Sequence, residues 1–188
     1  MQHFSHVYGI ETEQAHAAKR AFASSLAAYS VVCYMLQIKD RHNGNILLDK
    51  DGHLIMIDFG WILGIAPGGA VSVEASVPFK LTTEMVEVMG GIHSGLFAEF
   101  VRLFVSGFLA LQLHSDKIVN LVEIMAEHSG FPWCERFGSR RNEERQLILR
   151  TARAAAFTGE ITPRSSADCA HDSGWTSIRT EAWALPSS

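Results

Sequence analysis

The residues with the clearest chemical potential lie in two short segments of the first sixty residues. The segment from Asp40 reads Asp-Arg-His-Asn-Gly-Asn, and the segment from Asp58 reads Asp-Phe-Gly. Asn45 and Asp58 offer an amide oxygen and a carboxylate, which suit Mg²⁺ when the ion also binds phosphate oxygens. Asp40 and His42 add two polar groups that can handle the proton of a hydroxyl. The combination predicts phosphoryl transfer from ATP to a hydroxyl acceptor.

The sequence between the two motifs, Ile46–Ile57, predicts a tight β-hairpin. Two apolar β-prone runs flank Lys50-Asp51-Gly52, a tripeptide suited to a turn. An antiparallel return places Asn45, at the start of the first strand, beside Asp58, at the end of the second. One cation can then contact both side chains.

Each of these residues also has a simpler structural interpretation. Asp40 and His42 can form a turn pair, and Asp-Phe-Gly alone is common in turns, but their combined order and spacing favour the catalytic interpretation. Arg41 is interpreted as a support for the loop rather than as an ATP ligand. Lys39 is interpreted as a solvated lysine rather than as a phosphate ligand.

A helix-rich framework is predicted to position the motifs. Apolar residues recur three and four apart, and Thr12 and Thr82 are suitable N-caps. Helices are predicted over Thr12–Gln37, from Thr82 to Gly90, over Leu96–Leu113 and, after the cap Ser115, over Asp116–Glu127.

Two of these helices have a periodic apolar face that is predicted to point inward. In the first helix this face consists of Phe22, Leu26, Tyr29, Val32, Cys33 and Leu36. In the last helix it consists of Ile118, Leu121, Val122 and Met125.

Composition sets the outer limits of the interpretation. The 188 residues are 47% hydrophobic, which is sufficient for one domain with a core. The net charge of -4 gives no basic footprint for nucleic acid. Three widely spaced cysteines form neither a disulfide framework nor a zinc pattern, which favours a reducing, intracellular setting. No signal peptide is expected, and the longest apolar run, Leu26–Leu36, is too short to span a bilayer, so any membrane contact is expected to be peripheral.

The order of the motif residues resembles one lipid-kinase superfamily. Protein kinases have His-Arg-Asp in this loop, whereas this chain has Asp-Arg-His. The stretch Ser25–Pro132 resembles the C-terminal lobe of a type III phosphatidylinositol 4-kinase of the phosphatidylinositol 3-/4-kinase superfamily. The matching segments are Ala28–Tyr34, Lys39–Ile46, Ile57–Gly60, Phe79–Val86 and Met89–Gly91. Phe79–Glu84 is most similar to the beta form and Pro67–Gly69 to the alpha form, so both isoforms stay open.

The resemblance implies a reaction and a role for each motif residue. The γ-phosphoryl of ATP would pass to the inositol 4-hydroxyl of phosphatidylinositol. Asn45 and Asp58 would hold Mg²⁺ or Mn²⁺ against the ATP phosphates. Asp40 and His42 would be the catalytic pair, with either of them as the base.

The resemblance also implies how the two substrates are recognised. Leu47 and Ile57 would form the floor of an adenine pocket. Packing inside the hairpin is the simpler interpretation, and both can be true. The segment from Gly60 to Lys80 is interpreted as a mobile loop, and from Trp61 to Lys80 its charged residues are Glu74 and Lys80. Kinases that accept phosphorylated inositides use basic residues there, so unphosphorylated phosphatidylinositol is the expected acceptor.

The fold class is expected to be α+β, a mainly helical kinase C-lobe with a small β-hairpin between the catalytic loop and Asp-Phe-Gly, and with the N-lobe absent. Residues 1–133 are interpreted as a partial C-terminal catalytic lobe, and residues 134–188 as a divergent, poorly ordered tail. Without the missing N-lobe or a parent chain, the fragment is expected to be inactive. The alternative is a non-catalytic, kinase-like remnant that acts as a binding module. The expected location is cytoplasmic, peripheral at Golgi or plasma membranes, and no nucleic-acid partner is expected.

Overall fold

The computed structural model describes residues 2–63, 65–68 and 77–126, and helices dominate them. The α+β class is confirmed, since the helices accompany one two-stranded antiparallel sheet. In chain order the elements are α1 (Gln2–Tyr8), α2 (Glu13–Leu36), a 3-10 turn (Asn43–Asn45), β1 (Ile46–Leu48), β2 (Leu54–Met56), α3 (Thr83–Val88), α4 (Gly95–Gln112) and α5 (Ser115–Ala126).

The long helix α2 forms as the sequence predicts. The Thr12 hydroxyl accepts the N–H of Ala15 over 3.0 Å, which satisfies one of the free amides at the helix start. At the other end Gln37 adopts a left-handed conformation with φ of 50° and ends the helix. The chain therefore leaves α2 directly before the motif that begins at Asp40.

The sequence analysis did not predict α1, which is only seven residues long. Such a short helix is marginal by itself, and tertiary packing stabilises it. The ring of Phe4 lies 5.4 Å from the ring of Tyr8 and 5.5 Å from that of Phe22 on α2. The Tyr8 hydroxyl also donates to the carbonyl of Asp49, so α1 holds the turn of the hairpin.

The hairpin lies against α2 through its second strand. β1 and β2 pair with Leu47 opposite Ile55. The side chains of Leu54 and Met56, two residues apart, both point inward and are 1% and 3% exposed. The Leu54 amide donates to the Ser25 hydroxyl of α2 over 2.8 Å, which fixes the strand in place along the helix.

The chain divides into two compact units, and among the described residues the first comprises residues 2–107 and the second 108–126. In the first unit Thr82 caps α3 as predicted, and the α4 residues Phe97 and Phe100 are buried. In the second unit Ser115 is the first residue of α5 rather than its cap. Glu127, the predicted end of this helix, and the boundary between residues 133 and 134 lie outside the described residues.

Within the described residues, α4 is the helix long and apolar enough, by length and composition alone, to cross a membrane. The sequence analysis had considered the shorter run in α2 instead. Core helices of soluble proteins meet the same criterion. α4 also carries an ion pair between Glu99 and Arg102, one turn apart.

Candidate functional site

The base of the hairpin brings the two motifs together. The carbonyl of Asn45 accepts the N–H of Ile57 over 3.1 Å, directly beyond the last strand pair, Ile46 and Met56. The Asn45 side chain is buried, and its Nδ2 donates to the carbonyl of Asp40 over 2.9 Å. The amide oxygen Oδ1 is then the atom that Asn45 can offer to a cation. Asp58 follows Ile57, so both predicted metal ligands lie at this end of the hairpin.

Asp40 and His42 lie close together in the loop between α2 and the hairpin. The distance from Asp40 Oδ2 to His42 Nε2 is 3.9 Å, and the side chains are 24% and 59% exposed. His42 Nδ1 accepts the N–H of Gly44 over 3.1 Å. Neutral imidazole carries one ring hydrogen, which must then be on Nε2, the nitrogen nearer to Asp40. His42 is therefore arranged as a donor on the side of the ring where Asp40 lies.

The two candidate aspartates share an unusual backbone conformation. Asp40 has φ of 61° and Asp58 has φ of 58°, both in the left-handed region. Residues other than glycine adopt this conformation at a cost of about 1–2 kcal/mol, and aspartate tolerates the conformation better than most residues do. The Asp58 carboxylate accepts the N–H of Gly60 over 3.3 Å, which is typical of an Asx turn. Neither conformation had a signal in the sequence, although the residue type is compatible with both.

Arg41 connects the loop between α2 and the hairpin with the backbone around Asp58. It is only 3% exposed, and its Nε donates to the carbonyl of Lys39 over 2.9 Å. Its guanidinium also donates to the carbonyl of Ile57 over 2.8 Å and to the carbonyl of Asp58. The guanidinium carbon lies 5.4 Å from the centre of the Phe59 ring, within cation–π range. One planar fork therefore fixes the position of Asp58 relative to Asp40.

The interpretation of Lys39 as a solvated side chain is wrong. Lys39 is 3% exposed, and its Nζ donates to the carbonyl of Val77 over 2.7 Å. Sequence reasoning also missed the pair formed by Lys80 Nζ and Asn43 Oδ1, which are 2.9 Å apart. In each of the two pairs the residues lie more than thirty-five positions apart in the sequence, so no local pattern could have indicated either contact.

Leu47 and Ile57, the predicted adenine floor, lie on the open side of the hairpin and are 46% and 39% exposed. The core of the hairpin consists of other residues, Leu54 and Met56. Leu47 and Ile57 are thus more exposed than the residues of that core, and their assignment to an adenine pocket stays a prediction. They leave an apolar surface next to the motif residues.

The buried thiol beneath this surface has a structural role. Cys33 Sγ lies 3.5 Å from Met56 Sδ. Burial raises the pKa of Cys33 to about 11, against the opposing influence of the Arg41 and Lys39 charges. Cys33 is therefore a neutral core residue and not a nucleophile.

The donor set at the hairpin base suits a hard cation. Within residues 2–63, 65–68 and 77–126, no cluster of three or more histidine, cysteine or acidic side chains could hold a metal ion. Asn45 and Asp58 would instead supply two oxygen ligands. That number fits Mg²⁺, which is usually bound through one or two carboxylates, substrate phosphates and water.

Comparisons with known proteins agree with this geometry. The family model for phosphatidylinositol 3- and 4-kinases matches residues 2–134. A phosphatidylinositol 4-kinase of Dictyostelium discoideum is 57% identical over 108 residues, 57% of this chain and 9% of the relative. Phosphatidylinositol 4-kinase PIK1 of Saccharomyces cerevisiae is 52% identical over 115 residues, 61% of this chain and 11% of the relative. Phosphatidylinositol 4-kinase beta of Rattus norvegicus is 47% identical over 133 residues, 70% of this chain and 16% of the relative. The chain thus spans less than a fifth of the length of these relatives.

Proposed function

Because this chain belongs to the phosphatidylinositol 3- and 4-kinase family, we propose that it is the catalytic region of a phosphatidylinositol 4-kinase that transfers the γ-phosphoryl of ATP to the inositol 4-hydroxyl. The observation that carries the proposal is the bond between Asn45 and Ile57 at the hairpin base, which brings Asn45 to the same end as Asp58. The named relatives support the 4-kinase assignment.

Asn45 and Asp58 are the proposed ligands of Mg²⁺ or Mn²⁺. A bound divalent ion neutralises charge on the ATP phosphates during transfer. Asn45 is held for this purpose by its own bond to the Asp40 carbonyl, and Asp58 by Arg41 at its carbonyl. Both residues would therefore bind the ion with little rearrangement of the backbone.

The geometry supports a division of labour between the catalytic pair. We assign Asp40 as the acceptor of the hydroxyl proton, because an ionised carboxylate only accepts hydrogen bonds. We assign His42 as a donor, since its Nδ1 is occupied by the Gly44 amide and its Nε2 carries the hydrogen. In this role His42 Nε2–H would bind an oxygen of the group being transferred.

The substrate sites follow from the surfaces on either side of the motifs. Leu47 and Ile57 would contact the adenine face, where apolar area is needed. The segment Trp61–Lys80 would contact the lipid headgroup. Its charged residues are Glu74 and Lys80, which is too few cations to bind additional phosphates, so unphosphorylated phosphatidylinositol is the proposed acceptor.

The proposed activity depends on a second lobe that covers the ATP phosphates. A parent polypeptide or another chain would supply it, because a water-excluding roof strengthens the electrostatic contacts of a phosphoryl-transfer site. The 188 residues alone are therefore expected to turn over slowly or not at all. We place the active protein in the cytoplasm, peripherally at an intracellular membrane such as the Golgi or plasma membrane, where its lipid substrate lies.

A segment exchange tests the catalytic assignment. The 115 residues of this chain that match the yeast kinase PIK1 would replace their counterparts in that kinase. ATP-dependent phosphorylation of phosphatidylinositol in mixed micelles would then be measured with Mg²⁺. We expect 4-phosphorylated product from the hybrid and none from its Asp58→Ala variant. The isolated chain, tested in parallel, is expected to bind Mg²⁺–ADP weakly and to form little product.

The outcomes separate the two functional classes. A folded hybrid that forms no product would favour the non-catalytic binding module. Equal product from the hybrid and its Asp58→Ala variant would overturn the metal assignment. Product from the isolated chain that disappears in Asp58→Ala would support the kinase assignment and show that no second lobe is required.

A further inference from the structure

The 3-10 turn that ends at Asn45 is short and carries one of the two proposed metal ligands. It has three residues, and the N–H of Asn45 donates to the His42 carbonyl over 3.0 Å while the N–H of Ile46 donates to the Asn43 carbonyl. Hydrogen bonds of the 3-10 type have poorer geometry than those of an α-helix. Gly44, in the middle of the turn, also has more conformational freedom than any other type of residue. A fixed position of Asn45 therefore depends on contacts from outside the turn.

One such contact comes from the buried ammonium group of Lys80. Lys80 is 8% exposed, and its Nζ donates to Asn43 Oδ1 over 2.9 Å. Lysine is almost never fully buried unless its ammonium group has partners, because its desolvation is costly. A hydrogen bond from a charged donor is also roughly twice as strong as one between neutral groups. The first residue of the turn is thus held by a directed, charge-assisted bond.

The backbone on either side of Lys80 gives this contact a fixed base. Phe79 is 9% exposed, and its ring lies 5.1 Å from the ring of Phe104 on α4. Leu81 is 3% exposed, and the next residue, Thr82, caps α3. Lys80 therefore joins the turn to a part of the fold that is itself held by packing.

The other proposed metal ligand is held in a comparable way. Arg41 is 3% exposed, and its guanidinium donates to the carbonyl of Asp58. Arg41 thus contacts the backbone of one ligand, and Lys80 contacts the side chain of Asn43, two positions before the other ligand, Asn45. In these contacts each cation fixes where the chain lies rather than binding an oxygen that would coordinate the ion.

We propose that Lys80 is a positioning residue for the metal ligand Asn45, and that its bond to Asn43 sets how tightly the site holds a divalent ion together with a nucleotide. This inference rests on the proposed function, which assigns Asn45 to the metal. Lys80 acts through the turn, because its Nζ contacts a residue outside the proposed metal and catalytic set. Loss of the contact should leave the turn formed but less well fixed, so the Asn45 amide oxygen would occupy its binding position less of the time.

Substitutions at both ends of the contact in the purified 188-residue protein test this role. The variants are Lys80→Met, Asn43→Leu, the double variant and the conservative Lys80→Arg. Lys50→Met is the matched control, because Lys50 is an exposed lysine in the hairpin turn and its loss removes the same charge elsewhere.

Hydrogen exchange and a metal-dependent binding assay give the two readouts. NMR follows exchange of the Asn45 and Ile46 amides, called here the turn amides, whose hydrogen bonds lie within the 3-10 turn. The Gly52 amide, which is hydrogen-bonded in the hairpin turn, is the reference. Titration with a fluorescent ADP, with and without Mg²⁺, separates the metal-dependent part of nucleotide affinity from the rest.

For Lys80→Met we expect about tenfold faster exchange at the turn amides and about tenfold weaker Mg²⁺-dependent binding of the fluorescent ADP, as the loss of one charged hydrogen bond implies. Exchange at Gly52 and binding without Mg²⁺ should not change. Asn43→Leu should act in the same direction, and the double variant should be no worse than either single variant, because all three lose the same contact. Lys80→Arg should restore much of both properties, and Lys50→Met should behave as wild type.

Unchanged exchange at the turn amides in both Lys80→Met and Asn43→Leu would overturn the positioning role. Equally faster exchange at Gly52, or an equal loss of ADP binding with and without Mg²⁺, would also overturn it, since either result indicates a general loss of structure. A wild-type protein that binds the fluorescent ADP equally well with and without Mg²⁺ would overturn the metal assignment of the proposed function instead. In that case faster exchange at the turn amides would still support Lys80 as the residue that holds Asn45 in place, and unchanged exchange would reject it.

Discussion

The loop that contains Asp40 and His42, together with the hairpin after it, differs from the helix α5 in what holds it in place. In the first region buried polar groups bind partners far along the chain, as Arg41 does at Ile57 and Lys80 at Asn43. In α5 large apolar side chains are exposed, among them Leu121 at 61% and Ile124 at 67%. A site of this kind depends on a few directed hydrogen bonds, whereas α5 leaves much of its apolar face exposed. The two regions should therefore respond differently to substitution.

The largest effect is expected at the end of the hairpin. Asp58→Asn in the PIK1 hybrid should lower kcat about a thousandfold, because the amide lacks the charge that holds the metal–phosphate complex. Asparagine tolerates the left-handed backbone as well as aspartate, so the fold should persist. Initial rates of lipid phosphorylation provide the measurement. Asp51→Asn, in the exposed hairpin turn, is the matched control, and near wild-type rates in Asp58→Asn would contradict the metal assignment.

Arg41→Gln should lower the free energy of unfolding by about 3 kcal/mol, because the carbonyls that Arg41 binds lose a charged donor. Arg41→Lys should recover only part of the loss, since an ammonium group cannot reproduce the planar fork. Urea unfolding followed by circular dichroism gives the free energies. Arg102→Gln removes an exposed arginine that pairs with Glu99 and should cost less than about 1 kcal/mol. Similar losses in Arg41→Gln and Arg102→Gln would show that the buried hydrogen bonds of Arg41 stabilise the fold no more than an exposed ion pair does.

A pair of leucines compares the two regions directly. Leu26 in α2 is 0% exposed, so Leu26→Ala should cost about 2–5 kcal/mol. Leu121→Ala in α5 should cost about 0.5 kcal/mol or less, because the side chain is already largely in water. The same urea titrations measure both. A large loss at Leu121 would show that this side chain is covered in solution.

Gly52 in the hairpin turn and Gly91 after α3 allow the cost of close packing to be measured apart from the cost of backbone strain. Gly52 has φ of 92°, and a Cβ there would lie 2.7 Å from the carbonyl oxygen of Ala18. Gly91 has φ of 90° and nothing within 4 Å of a Cβ. Gly91→Ala should therefore cost about 1 kcal/mol, from strain alone, and Gly52→Ala about 1–3 kcal/mol more, from overpacking. Equal losses in thermal unfolding would mean that the turn can move away from α2.

The smallest effect concerns pH. Burial alone would raise the pKa of Asp49, but hydrogen bonds from the His53 backbone, the His53 ring and the Asp51 amide lower it below its ordinary value of 3.8. A lowered pKa in the folded state stabilises the fold above pH 3.8, and this contribution disappears as the pH falls through the folded value. Unfolding midpoints at pH 6 and pH 3 should therefore differ less in Asp49→Asn than in wild type. If the two midpoints differ equally in Asp49→Asn and in wild type, the hydrogen bonds of Asp49 do not stabilise the fold.

The sequence predicted the helices more reliably than the faces that they bury. α2, α3 and α4 begin and end close to the predicted residues, because caps and periodicity are local signals. Val32 was assigned to the buried face of α2 but is 39% exposed, while Val31 is buried. Leu121 and Met125 were expected inside and are each 61% exposed. Which face is covered depends on neighbours that periodicity does not identify.

In the candidate site as well, the sequence indicated the residues of the motifs but not their long-range contacts. Residue order alone indicated Asp40, His42, Asn45 and Asp58, because their chemistry and spacing are unusual together. It could not indicate the left-handed backbone of the two aspartates, since type and conformation are only loosely related. The partner of Lys39 was also hidden, because that contact exists only after the segment has returned to the loop.

The attachment of the hairpin turn has a consequence for protein engineering. Surface turns are usually chosen for tags, reporter insertions and circular permutation. This turn is unsuitable, because Tyr8 binds the Asp49 carbonyl and Gly52 lies directly against the backbone of Ala18. An added residue would shift one strand against the other, and β2 would carry that shift to Asp58 at its far end. A label intended to report on this protein without disturbing it belongs elsewhere, and the exposed surface around Arg102 on α4 is a better place for its attachment.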